Sequence, residues 1–258
     1  ISGFTSAASG SRSSGIGVIE DPTLTGASSV RGYTGIVKNT ATGVINVSGG
    51  KGNTGVFLKV AAADNITNEG VINVTGEKNS AMRVDNGVVL TDALGNPRLI
   101  NAGSGIININ AGENFGVIAA DGNASNRAEA VNDGTIIIEN KGLPGTFIEN
   151  TVGMISIKAA STATSGGYIE NNGTIQMEND VKSSQGMAVL SNSEGLNTGN
   201  VIIKSSTLGE SSVGVYNEGI FNMTAGLVDV ASPKGIGIYA KNSSAATSVT
   251  GGIIRVSN

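Results

Sequence analysis

The sequence predicts a parallel β-helix. Three observations predict it: a five-residue motif that returns nine times, a return distance near 26 residues, and corner chemistry supplied by 39 Gly and 28 Asn. The motif is a glycine, a variable residue, an apolar residue, a usually polar residue and a second apolar residue. It reads Gly43-VINV, Gly70-VINV, Gly105-IINI, Gly134-TIII, Gly153-MISI, Gly173-TIQM, Gly199-NVII, Gly226-LVDV and Gly252-IIRV. The steps between these glycines are 27, 35, 29, 19, 20, 26, 27 and 26 residues. Self-similarity at such a period is the mark of a solenoid, in which each repeat buries its apolar face against its neighbours.

Two columns carry the pattern. The second residue after each glycine is Ile45, Ile72, Ile107, Ile136, Ile155, Ile175, Val201, Val228 or Ile254. The fourth is Val47, Val74, Ile109, Ile138, Ile157, Met177, Ile203, Val230 or Val256. The residue between them is mostly polar, as at Asn46, Asn73, Asn108, Gln176 and Asp229. Alternation with a period of two defines a half-buried strand, and β-branched side chains suit its pleated surface. Both columns are therefore expected inside, with Ile72, Ile107 and Ile136 stacked on successive coils. Asn46, Asn73 and Asn108 share one outward column and are expected to form a hydrogen-bonded ladder.

A second strand family fills the other part of each period: Gly15-IGVI, Gly55-VFLK, Gly116-VIAA, Gly186-MAVL, Ser212-VGVY and Gly235-IGIY. Asn39, Asn68, Asn101, Asn132, Asn150, Asn172 and Asn197 precede most motif glycines. Asn and Gly tolerate left-handed backbone, so these pairs are expected at corners. Nine or ten coils of roughly 26 residues, stacked about 4.8 Å apart, make a rod about 45 Å long. Leucine-rich repeats require a Leu frame that is missing, calcium-loaded β-rolls require a G-G-x-G-x-D run that is missing, and helical repeats are incompatible with so much glycine.

Composition excludes several functions. The chain of 258 residues has no His, no Cys and no Trp. Without Cys there is neither a disulfide framework nor a Cys-based zinc site, and without His there is no Ser-His-Asp chemistry. A net charge of -4 gives no basic footprint for nucleic acid or an anionic membrane. No run of apolar residues is long enough for a membrane helix. No cofactor or metal ion is expected, and no catalytic residue.

Segments such as NEGVINVTG, NDGTIIIEN, NNGTIQMEN and SSVGVYNEGIFNMTAGLVDV resemble the passenger domains of type V autotransporters, in the style of the very large fusobacterial outer-membrane adhesins. The resemblance covers nearly the whole chain and lies in repeat style, without a site motif. It implies a right-handed helix and an extracellular position on a bacterial surface, tethered through a C-terminal barrel that this chain does not contain. It also implies attachment to a host-cell surface protein or glycan, or to another bacterium. The chain is expected to be a monomeric single β-helix segment, a piece of a longer passenger. Some passengers are serine proteases, but the nearest text here, Ala8-Ser9-Gly10-Ser11-Arg12, lacks the Asp of that motif and has no His to pair with. The alternatives to an adhesin are a polysaccharide-cleaving enzyme on the same helix and a stalk that binds nothing. Cleavage needs paired carboxylates, and the acids here are scattered at Asp64, Asp85, Asp92, Asp121, Asp133 and Asp180. N-x-S/T sequons at Asn46, Asn65, Asn73, Asn123, Asn172, Asn222 and Asn242 are what a chain rich in Asn, Ser and Thr produces by chance.

Breaks in the repeat have two readings: a partner's binding place, since per-coil insertions project from one face of a solenoid, or neutral length drift, which surface loops tolerate cheaply. Two stand out, Asp85 to Arg98 and Asp121 to Glu129. Projecting from adjacent coils, they would form one patch offering Asp92, Asn96, Arg98, Asp121, Asn126 and Arg127. Arg98 and Arg127 are its expected anchors, because a guanidinium fork binds carboxylates bidentately.

Overall fold

The computed structural model describes residues 14–19, 37–59, 66–85, 98–122, 127–142, 147–161, 163–178, 181–205 and 211–258. Three sheets of eight parallel strands each run the length of the molecule, and each coil contributes one strand to every sheet in the order A, B, C. The chain is a right-handed parallel β-helix, with no α-helix among the described residues.

Sheet A consists of Ser14–Ile19, Thr54–Lys59, Ser80–Asp85, Phe115–Ala120, Val152–Ile157, Gln185–Val189, Val213–Asn217 and Ile236–Ala240. Sheet B consists of Val37–Asn39, Ile66–Asn68, Arg98–Asn101, Glu129–Asn132, Tyr168–Asn171, Glu194–Asn197, Ile220–Met223 and Ala246–Val249. Sheet C consists of Val44–Val47, Val71–Val74, Ile106–Ile109, Thr135–Glu139, Thr174–Glu178, Asn200–Lys204, Leu227–Ala231 and Ile253–Ser257. A short pair, Ile148–Glu149 with Val181–Lys182, broadens the corner between C and A in the middle coils.

Sheet C is the motif sheet. Ile72, Ile107 and Ile136 are direct cross-strand partners and fully buried, so the predicted column stands. Eight motif copies lie on sheet C, giving eight complete coils among the described residues instead of nine or ten. The ninth copy, Gly153-MISI, is a correction: it belongs to sheet A. There Met154 points inward, between Val117 and Met187. Ile155 packs outward with Ile118, Val152 and Ala188 in a second apolar cluster, against which Ile157 also packs. The same text of glycine plus alternation serves both sheets, and it reads out of phase on sheet A because that sheet is apolar on both faces here. With this copy moved, the coil from Gly134 to Gly173 is 39 residues long, the longest of all.

The six segments of the second strand family all fall on sheet A. Sheet B was hidden in what reads as corner text. Its strands are three or four residues long, and most have a single inward apolar side chain, such as Ile66, Leu99, Ala130 or Ile169. The next inward position is Asn. Asn39, Asn68, Asn101, Asn132, Asn171 and Asn197 form a buried ladder, each Nδ2 donating to the Oδ1 of the next at 2.7–2.8 Å. The second N–H of these amides goes to backbone carbonyls, for example Asn68 to Gly70 at 3.2 Å and Asn197 to Gly199 at 3.0 Å. A buried amide is tolerable only when bonded, and this one is satisfied on both sides. The ladder stops where Met223 takes the column. Asn172, expected at the corner, lies one residue past its member Asn171 and is exposed.

The motif glycines are required by close packing more than by handedness. Among the nine, only Gly226 and Gly252 have positive φ. A Cβ on Gly134, Gly173 or Gly199 would collide with the carbonyl oxygen of the motif glycine one coil back. None of the corner Asn residues is left-handed except Asn150. Left-handed backbone gathers instead at the C-to-A corner, at Gly52, Lys78, Glu113, Asn150 and Ser183, one position in successive coils.

Candidate functional site

Two outer faces carry organised side chains. On sheet B, Arg98, Glu129, Tyr168 and Glu194 occupy one outward column on four successive coils. Arg127 precedes the second of these strands. Its guanidinium lies 4.2 Å from the centroid of the Tyr168 ring, 3.6 Å from Glu129 and in contact with Glu194. Arg98 approaches the same Glu129 at 3.9 Å. The structure thus brings the two predicted anchors together around one carboxylate. It also gives Arg127 internal acid partners, so this guanidinium is already engaged. Tyr168 donates to Glu170 at 3.1 Å, and burial, with the adjacent Glu170 carboxylate, pushes its phenol above the ordinary tyrosine range.

The other predicted members are placed differently. Asp121 is buried, with φ at 70°, and its Oδ1 accepts the N–H groups of Ala159 at 2.6 Å and Ala160 at 2.8 Å. Its carboxylate fastens the segment after Val152–Ile157 and is not offered to solvent. Asp92, Asn96 and Asn126 lie outside the described residues. Among the scattered acids, Asp85 is bound by Arg83 at 2.7 Å and Asp133 accepts from Asn172 at 2.9 Å, while Asp64 and Asp180 lie outside the described residues. No group of three or more His, Cys, Asp or Glu able to hold a metal ion is present among the described residues.

Nearer the end of the rod, the A-to-B corner carries a compact cluster. Glu218 accepts from Tyr216, from Lys241 at 2.8 Å and from Ser191 at 3.2 Å. The Lys241 ammonium and then the Tyr216 hydroxyl hold the Glu218 carboxyl below the usual range, and the same carboxylate raises Lys241. Tyr216 stacks on Tyr239 with centroids 5.8 Å apart. Both carboxylate oxygens are engaged by groups of the chain itself, which makes this a structural clasp.

The third arrangement is on sheet C. Asn73 donates to Asn46 at 2.8 Å and Asn108 donates to Asn73 at 2.9 Å, the outward ladder that the sequence predicts. A groove of about 280 Å³ runs over it, floored by the three amides and Ile137 and walled by Asn110, Glu139 and Lys141. Lys141 pairs with Glu139 at 3.3 Å, and its N–H donates to Asn110 at 2.8 Å, which seats the start of the long C-to-A connection against the groove. Sequence reasoning found the floor and missed the wall, because nothing in the text of residues 140–147 says on which side of the strand the connection leaves.

Comparison of the chain with family models, with curated proteins and with solved structures found no match. The likeness to autotransporter passengers therefore rests on the repeat text alone.

Proposed function

We propose that the chain is an attachment module of a bacterial surface protein, exposed outside the cell and binding a host-cell surface protein or glycan, or the surface of another bacterium. The observation that carries the proposal is the way side chains line up across coils. The outer faces of sheets B and C present columns of like or complementary groups, Arg98-Glu129-Tyr168-Glu194 and Asn46-Asn73-Asn108, on a scaffold that holds them at a fixed spacing. Rigid presentation lowers the ordering cost of binding, which is what a recognition surface requires.

The same columns favour one second reading, a spacer rod. On sheet B the charged groups are mutually paired, and exposed ion pairs of this kind need no ligand. Beads coated with the purified chain distinguish the two. Attachment of coated beads to host cells or bacteria above the level of albumin-coated beads supports the module. Equal retention across a panel of both makes the chain a spacer.

A further inference from the structure

We infer that the sheet C groove is a glycan subsite that takes an uncharged, linear saccharide chain lying along the rod axis, one ring per coil. The inference rests on the attachment role proposed above and names its ligand class and its place.

Hydrogen-bond supply is the first reason. An Asn side chain has two N–H donors and two acceptor lone pairs. The ladder uses one donor and one acceptor of Asn73 and leaves one of each. Asn46 and Asn108, at the two ends, keep more. The floor therefore offers donors and acceptors in alternation at each rung. Vicinal hydroxyls of a sugar, each able to give and to receive, match that alternation. Apolar flanks are the second reason: Val44 and Ile106, in the neighbouring outward column, are 55% and 37% exposed, and Ile137 continues the floor beyond Asn108. The C–H face of a pyranose packs on such surface while its hydroxyl rim bonds to the amides.

Charge and spacing narrow the ligand further. Lys141 and Glu139 neutralise each other within the groove, so it offers no net charge to an anionic glycan. Successive amides stand about 4.8 Å apart, close to the length of one pyranose ring, whereas same-face residues of an extended peptide recur every ~6.7 Å and fall out of step after one coil. The groove lies on the face of sheet C; Val44–Val47 is the end strand of that sheet, and a strand added at its edge would extend the sheet and leave the groove over the amides unfilled.

The test uses the whole chain and linear neutral oligosaccharides of glucose and of N-acetylglucosamine, from a single ring upward, titrated by saturation-transfer NMR. Affinity is expected to rise with each ring to about four, matching coils one to four, and then to level off. Asn73→Ala with Asn108→Ala should lower it about tenfold, the loss of a few net hydrogen bonds. Asn222→Ala, an exposed Asn on the outer face of sheet B, should leave it unchanged. Absence of binding by every neutral oligomer, no dependence on chain length, or preference for sulfated glycans or extended peptides would overturn the proposal. If the double variant does not fold, the length series on the parent chain decides. Bead attachment measured on the same variants separates the two proposals. Attachment that survives the double variant removes this groove and leaves the module standing, while absence of attachment by the parent removes the module itself.

Discussion

The two asparagine ladders use one bond in two places. From Asn39 to Asn197 it runs inside the rod, at 0% exposure for five of its six members. From Asn46 to Asn108 it runs along the outside, under solvent. The bond lengths agree, 2.7–2.8 Å inside and 2.8–2.9 Å outside, but the energetics differ. An inner amide that loses its partner has no water to turn to, and each orphaned group costs about 1–3 kcal/mol. An outer amide that loses its partner is rehydrated. The inner ladder therefore fixes register between coils, while the outer one keeps spare hydrogen-bonding capacity for a ligand. Residue type alone does not assign a role; the face of the sheet does.

The inward and outward columns differ most sharply at two neighbouring residues, and the largest effect is expected there. Ile136 is fully buried between Ile107 and Ile175, while Ile137 lies on the floor of the outer groove. Ile136→Asp places an unpaired carboxylate in the core and should unfold several coils, because each coil is stabilised by its neighbours. Ile137→Asp should stay folded and within about 1 kcal/mol of the parent. Circular dichroism on heating reads both, and similar losses in the two variants would break the assignment of faces.

A smaller effect tests the outer surface through pH. The Glu218 carboxyl is depressed by Lys241 and Tyr216, so its bonds add stability above the carboxyl's unfolded pKa, and that stability is lost as pH falls through the lower folded value. Lys241 and Tyr216 are raised, so their share is present below their unfolded values and is lost as pH rises through the folded ones. The clasp is thus strongest between the acid and alkaline ranges. Glu218→Gln should flatten the acid limb of the melting curve against pH by a small amount and leave ladder stability alone. An unchanged acid limb would mean that the clasp contributes nothing measurable.

Much of this is legible in the sequence. Glycine followed by alternating β-branched residues fixes sheet C, because only inward positions must be apolar and the period is two. Six sheet A strands follow from the same logic. Sheet B is hard to read because most of its strands have a single inward apolar residue, and Asn68, Asn101 and Asn132 at the next inward position read as turn chemistry. The copy at Gly153 went to the wrong sheet because Ile155 is apolar and outward, which alternation alone cannot express. At the candidate sites, Arg98 is singled out by the 35-residue step and Arg127 by the polar text of its loop. Asp121 was misjudged because a carboxylate in loop text looks solvated, and only the backbone of Ala159 and Ala160, distant in sequence, shows that it is used.

The difference between the ladders is tested most directly by the same substitution made once in each. Asn132→Ala removes the acceptor of Asn101 and the donor of Asn171, both buried. Asn73→Ala removes the matching partners of Asn108 and Asn46 on the surface. In urea unfolding, Asn132→Ala is predicted to lose about 2–6 kcal/mol and Asn73→Ala about 1 kcal/mol or less. Equal losses, or a larger one for Asn73→Ala, would contradict the division of the rod into an inner ladder that holds it and an outer ladder that is free to bind.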